Sequence, residues 1–474
     1  MKNSRLLVII LLILFIITRL SFLGTGLNII EPDEQDYQAI ANSAANGWPL
    51  YWQGQPYFEK FPLFIYLGYF LGKAFPVLFT WGPYVNLRLI SVFSSFGLTW
   101  LFFNYLRKRL DFTSAFLSTV FLLLTPLLLF YSKQGTYEAF FLFFGFLFFY
   151  FFDQYKNQLN SKKVFILTGL LTLAVLAKHI NILLFILPGF YALRLFLQTG
   201  LKNQSAWQYL LIPCFSLLAI TLILLPVYLY SPALIIDQFI GVSQQFFITH
   251  PKTFFSILIN FFKLLPYWLS WPVIVLSLAG LVYSLKFLHQ SLNHLLVLAI
   301  GLLYINSYYI TPRSFIFIVP YLLISLGYAI SYLKNIQLGR IILVFMLLIS
   351  ISQAKIAFSA TRHHGVEASL DKIKTLYQQT SLPIYSTFEA DKLTDITQLP
   401  ISLLSPQATN SGIILTDKRK TELMLALSEP DWQAAKFTLD WIETHSQPVW
   451  QYQDPLSHFP GANLSNTFSI YVFN

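Results

Sequence analysis

Long apolar runs recur along this chain, separated by only short polar gaps, and they limit its fold more than any other feature. Of 474 residues, 56% are hydrophobic and 11% charged, against about 25% charged in soluble globular proteins. A backbone placed in hydrocarbon must satisfy its own hydrogen bonds, and runs of this length do so as helices. The chain therefore reads as an α-helical polytopic membrane protein of about 11 to 13 spans, each taking about 20 residues. Spans are expected near 6–22, 87–106, 114–131, 137–152, 164–177, 180–197, 209–230, 271–285, 295–310, 315–333 and 341–358. The first begins after Lys2 and Arg5 and has no small-residue cleavage site, which predicts a retained span, not a signal peptide. The 47 phenylalanines suit lipid-facing and interfacial positions. The single Cys214, in an apolar run, excludes a disulfide framework and reads as a small core residue.

Charge sets the orientation. The net charge is +10, but residues 359–474 hold 12 acids and 8 Lys/Arg, so the membrane part carries +14 against −4. That excess reads as cytoplasmic loops facing anionic lipid, with no nucleic-acid partner. The cluster Arg107-Lys108-Arg109 falls on the same side as Lys2 and Arg5 only if residues 62–79 do not cross. An interfacial or re-entrant helix is expected there. Lys156, Lys162, Lys163, Lys202, Lys286, Lys334 and Arg340 then lie inside. Residues 31–36, Glu138, Lys178, the 231–270 loop, Arg313 and the tail lie outside.

After residue 358 the texture turns polar, which divides the chain into a membrane domain, 1–358, and an external soluble α/β domain, 359–474. Strands are expected at 382–386, 412–416 and 468–473, and helices at 369–378 and 420–427. Asn463-Leu464-Ser465 fits a glycosylation sequon.

The membrane part keeps only nine acidic residues, and five of them, Glu31, Asp33, Glu34, Asp36 and Glu59, sit in the first external loop. Carboxylates gathered this closely repel one another and raise each other's proton affinity. Packing gives no reason to collect them; they read as a chemical site, against a solvated loop that happens to be acidic. Residues 33–47 read as a short helix capped by Asp33 or Glu34 and ended by Gly47, with Tyr37, Ile40, Ala41 and Ala44 resting on the bilayer.

No nucleotide-binding motif is present, so an enzyme at this face needs an activated donor that resides in lipid. A polyprenyl-phosphate sugar is such a donor. Its transfer needs a carboxylate to deprotonate the acceptor hydroxyl, cations for the departing phosphate and a greasy groove for the prenyl chain. Asp33 is the expected base, and Lys60, Lys178 and Arg313 are the expected phosphate contacts. Each cation also has a plain reading: Lys60 and Lys178 as snorkelling side chains, Arg313 as a span cap. No cofactor is demanded. Glu59 and His250 form a thin pair for a divalent metal, against a merely hydrogen-bonded histidine.

The order Pro32-Asp33-Glu34-x-x-Tyr37, then Tyr57-Phe58-Glu59-Lys60-x-Pro62-Leu63 and an aromatic-rich helix, resembles the first external loop of GT-C fold glycosyltransferases that use polyprenyl-phosphate sugars. The closest look is to the dolichyl-phosphate-mannose-protein mannosyltransferase-like group and the lipid A aminoarabinose transferases. The resemblance implies a catalytic Asp33, with Glu34 beside it, and a second acid at Glu138, where the family usually has Asp. It also implies a donor-phosphate ligand at Lys60 and metal ligands at Glu59 and His250, with Tyr57 and Tyr37 as further expected substrate contacts. Arg313-Ser314-Phe315 with Pro320 matches a family element, whereas Asp36 stands where the aminoarabinose transferases carry Arg. Glu59 suits an orienting partner for Lys60 better than a metal ligand. The expected activity is inverting transfer of a sugar to a protein, lipid or glycan acceptor outside the cytoplasmic membrane. The rival readings are a lipid-linked-glycan transporter or flippase, and a non-catalytic assembly scaffold. Paired halves with broken helices, which a transporter would show, are not evident, and the charges gather at one face.

Overall fold

A computed structural model describes residues 2–21, 33–47, 50–52, 55–57, 63–81, 84–200, 203–230, 265–266, 268–307, 312–360, 364–386, 390–404, 411–417, 440, 444, 447–454 and 466–473. The chain divides into two compact units, Met1–Gly24 with Asp36–Lys355, and Thr25–Gln35 with Ile356–Asn474.

Each of the expected spans carries a helix. They are α1 (Lys2–Leu20), α4 (Val85–Arg107), α5 (Phe112–Leu124) with α6 (Pro126–Tyr131), α7 (Tyr137–Tyr155), α8 (Ser161–Ala177), α9 (Ile186–Thr199), α10 (Gln204–Tyr230), α11 (Trp271–Ser284), α12 (Leu288–Ser307), α14 (Val319–Leu333) and α15 (Gln337–Ala360). Between them lie α2 (Asp33–Ser43), α3 (Leu63–Ala74), a two-strand hairpin of β1 (Tyr51–Trp52) and β2 (Gln55–Pro56), and the short α13 (Pro312–Phe315). Among the described residues, five helical stretches are by length and apolarity sufficient to cross a membrane: Val85–Arg107, His179–Thr199, Gln204–Leu225, Ile316–Leu333 and Gln337–Lys355. Proline explains the break between α5 and α6. Thr125, ahead of Pro126, takes an extended conformation (φ −62°, ψ 118°), as the residue before proline must when the α region is blocked.

The bundle is organised on α7, which packs between α4 and α8. Its Phe140, Phe141, Phe146, Phe148, Phe149 and Phe152 are all buried, whereas Phe93, Phe165 and Phe345 are exposed, so only part of the phenylalanines take the outward positions expected of them. A helix apolar all round belongs in a core. The outward apolar surface is instead supplied by α1, α10 and α15, through residues such as Ile9, Leu218 and Phe345. Cys214 is likewise on the exposed face of α10, not in the core.

Residues 33–47 form α2 and a 3₁₀ turn (Ala44–Asn46), ended by Gly47 at φ +90°. Tyr37, Ile40, Ala41 and Ala44 are buried in protein, so they do not rest on the bilayer. The Tyr37 ring meets Phe64 of α3 at 6.3 Å and Tyr137 of α7 at 5.0 Å, and this aromatic contact turns the helix inward. With 12 residues, α3 is about 18 Å long. It folds back on α4, where Asn86 Nδ2 donates to Gly68 O at 3.0 Å.

In the second unit, α16 (His364–Thr380) and α17 (Ala390–Thr397) accompany a five-stranded sheet of order β4 (Ile401–Leu403), β3 (Ile384–Ser386), β5 (Gly412–Asp417), β7 (Asn466–Phe473) and β6 (Trp450–Asp454). The first three strands run parallel, and β7 is antiparallel to both its neighbours. Ile384, Ile413, Leu415 and Ile470 share a core with Leu370 and Ile373 of α16. The expected strands and first helix are present, while β4, β6 and α17 went unforeseen. Residues 420–427 and the 463–465 sequon lie outside the described residues.

Candidate functional site

Glu138 stands in the first turn of α7, where the unpaired backbone N–H groups favour a negative charge. It is 3% exposed. A carboxylate buried this deeply needs ionic partners, and two cations supply them. Lys178 Nζ donates to Glu138 Oε1 at 3.1 Å. The Nε of Arg313 lies 3.8 Å from the same oxygen, an ion pair without a hydrogen bond.

The sequence holds each of the three in place locally. The start of α7 is fixed by Ser91 of α4, whose Oγ donates to Thr136 O at 3.1 Å. Lys178 ends α8 in an extended conformation and passes the chain into the 3₁₀ stretch His179–Phe185. Its backbone carbonyl accepts from Asn181 N, and its ammonium lies over the Phe141 ring at 4.7 Å. The Asn181 amide bridges Phe141 O of α7 and Ala174 O of α8, at 3.0 and 2.8 Å. The contact requires Gly145 on α7, since a Cβ there would come within 2.5 Å of Asn181 Oδ1. Arg313 follows Pro312 at the head of α13, and the next residues, Phe315 and Ile316, are fully buried; Phe315 packs on Trp268 at 5.3 Å.

The aromatic group Tyr37, Phe64, Tyr137 and Phe140 fastens α2 and α3 beside this first turn of α7. Thus Tyr37 reaches the immediate neighbour of Glu138. Glu34 is fully buried, and Asp36 half-buried. Asp33 opens α2, but its side chain, with Glu59, Lys60 and His250, lies outside the described residues. Tyr57 is buried, its N–H donating to Leu50 O at 2.8 Å. Among the described residues no group of three His, Cys, Asp or Glu side chains could hold a metal ion.

Several buried polar residues were missed. Lys133 is 4% exposed and donates to Ser21 O, near the end of α1, at 3.2 Å. Gln134 is buried beside it. Both lie in the gap between α6 and α7, a polar interruption just ahead of Glu138 that could have been flagged. Arg88 is buried in the first turn of α4, 5.8 Å from the Tyr84 ring. Arg19 is 1% exposed and donates to Ser95 Oγ and Leu123 O. An arginine inside an apolar run is itself a signal.

A second buried ionic cluster lies at the far end of α7, which corrects the expectation that charge gathers at one face alone. Asp153 pairs with Arg109 and, at 2.9 Å, with Lys156. It also accepts from Asn293 Nδ2 at 2.6 Å, and Tyr191 OH donates to Asn293 Oδ1 at 3.0 Å. At the helical rise per residue, Glu138 and Asp153 are about 22 Å apart.

Residues 54–237 match the family model described as dolichyl-phosphate-mannose-protein mannosyltransferase. The chain is similar in structure to ArnT from Cupriavidus metallidurans bound to undecaprenyl phosphate, with TM-score 0.60, 14% identity, and 99% of this chain and 98% of that one covered. It is also similar to the oligosaccharyltransferase AglB from Archaeoglobus fulgidus in complex with an inhibitory peptide and a dolichol-phosphate, with TM-score 0.55, 11% identity, and 95% and 73% covered. No curated protein matches it in sequence. At such identities the likeness is one of fold, and the fold is GT-C, in agreement with the resemblance carried by the first loop.

Proposed function

We propose that this chain is a membrane glycosyltransferase that moves a sugar from a polyprenyl-phosphate donor to an acceptor at the external face of the cytoplasmic membrane. The observation that carries the reading is the buried Glu138 carboxylate meeting the partly exposed cations Lys178 and Arg313 at one end of a GT-C bundle, beside the Tyr37–Tyr137 contact. Two cations that converge on one carboxylate suit a phosphate leaving group. In this reading Glu138 orients Lys178 and Arg313, and Asp33 is the base. The Asp33 carboxylate takes the proton of the acceptor hydroxyl as its oxygen attacks the anomeric carbon. The bond from that carbon to the phosphate oxygen breaks with inversion, and polyprenyl phosphate departs with the electron pair. A positioned base is worth about 10²- to 10⁴-fold in rate.

The external assignment rests on the cations at the other end of the bundle: Arg107, Lys108, Arg109, Lys156, Lys162, Lys163 and Lys334. ArnT, crystallised with undecaprenyl phosphate, and AglB, with a dolichol-phosphate, support the lipid donor. The decisive experiment supplies membranes containing the full chain with labelled polyprenyl-phosphate sugars. The label is expected to move to an acceptor, and Asp33→Asn to abolish the movement in folded protein. Undiminished transfer by that variant rules out the assigned base. Transbilayer movement of intact donor without sugar transfer supports a flippase instead.

A further inference from the structure

At the end of the bundle opposite Glu138, Tyr105 of α4, His294 of α12 and Tyr328 of α14 form a buried polar group that sugar transfer does not use. His294 is 0% exposed, Tyr105 1% and Tyr328 3%. The His294 and Tyr328 rings stack with centroids 5.9 Å apart and planes at 15°. The Arg109 guanidinium lies 3.8 Å from the centre of the Tyr105 ring and acts electrostatically on all three residues. Yet both ring nitrogens of His294 and both phenol oxygens meet no hydrogen-bond partner among the described residues. Arg109 itself is held by Asp153. Each such atom forfeits its bonds to water and gains none in return, so four gathered in three neighbouring side chains call for partners.

We propose that this group is an internal water site, with ordered water enclosed between α4, α12 and α14 and bonded to His294, Tyr105 and Tyr328. The chemistry matches. A neutral imidazole offers one donor and one acceptor, each phenol offers both, and a buried water typically makes about three such bonds. An apolar ligand would leave all four atoms unserved. The position fits as well. Tyr105 is one helical turn from Arg109, at the end of the bundle where the cationic loops meet the aqueous side.

The site is tested on the full chain in lipid nanodiscs by X-ray hydroxyl-radical labelling in ¹⁸O-water, read by mass spectrometry. Radicals form at bound water, so Tyr105, His294 and Tyr328 should be oxidised several-fold faster than Phe102 and Phe148, which are equally buried. Labelling no faster than at those two phenylalanines overturns the proposal. Tyr105→Phe and Tyr328→Phe give an independent reading. Removing a hydroxyl that has no partner raises the melting temperature, whereas removing one bonded to water lowers it. A fall is expected for both, and an unchanged or raised value in both overturns the water site. If a variant does not fold, the labelling of the unaltered chain decides.

Discussion

Lys178 Nζ sits 3.1 Å from Glu138 Oε1, and the same oxygen faces Arg313 Nε at 3.8 Å. The carboxylate is thus shared between the two cations. Lys178→Met should lower sugar transfer by on the order of 10²-fold, as loss of one preorganised charge at a leaving group does. It should also destabilise the fold by about 1.5–3 kcal/mol, the worth of a hydrogen bond to a charged group. In a double-mutant cycle with Glu138→Gln the stability losses should be less than additive, because both variants remove the same contact. Additive losses in thermal melts would show that the two side chains are not coupled. Wild-type transfer by Lys178→Met would remove it from the phosphate site.

Asp153 should matter for stability and not for chemistry. Its side chain is 2% exposed and holds Arg109 and Lys156 as well as Asn293. Replacing it with Leu strands two cations in a poorly solvated place, at a cost of about 3–5 kcal/mol. Being about 22 Å from Glu138 along α7, the variant should transfer sugar at the wild-type rate per folded molecule. A lowered rate in protein shown to be folded would tie this end of the bundle to the reaction.

Much of this architecture was legible because a membrane leaves the backbone few options. Apolar stretches bounded by Arg107–Arg109, Lys156 and Lys334 gave helices at every expected place. Glu138, Lys178 and Arg313 could be named as candidates because ionisable groups at span edges are rare. That the three share one oxygen could not be read, since 40 and 175 positions separate Glu138 from its partners and the meeting depends on how α7, α8 and α13 pack. The inward turn of α2 escaped for a related reason. Its apolar stripe specifies a buried face without saying whether lipid or protein covers it, and only the Tyr37–Tyr137 contact decides. Strands β4 and β6 were missed because Ile401–Leu403 and Trp450–Asp454 are edge strands of only three and five residues, too short for their alternation to stand out.

Asp111 gives the fold a defined response to acid. It caps α5, accepting from Ser114 N at 3.1 Å and Ser114 Oγ at 2.7 Å, and pairs with Lys334 ahead of α15. Burial pushes its carboxyl upward, but the hydrogen bonds from Lys334 and Ser114 and the Lys334 charge outweigh that and hold it at about 2. A folded value below the unfolded one, about 3.9, means the stabilisation is complete above pH 4 and is lost as pH falls toward 2. Asp111→Asn should therefore melt below wild type at pH 7, with the gap closing between pH 4 and 2. High salt should also narrow it at pH 7, since the carboxylate is partly exposed. A gap that persists unchanged through that acid range would assign the stabilisation to packing instead.

Two glycines should respond to alanine with opposite signs. At Gly280 of α11 a Cβ would stand 1.8 Å from Ser325 O of α14, a backbone atom that cannot rotate away. The two helices must separate to admit the methyl, so Gly280→Ala should cost about 1–3 kcal/mol, as overpacking generally does. At Gly169 of α8 nothing lies within 4 Å of the added carbon. There the substitution only reduces the freedom of the unfolded chain and should stabilise by about 0.4–1 kcal/mol. Thermal melts of both variants in one detergent make the comparison internal. Equal shifts would mean that α11 and α14 are not in backbone contact, and that the close pairing which sets the position of α14, and through it of Arg313 just upstream, has been misplaced.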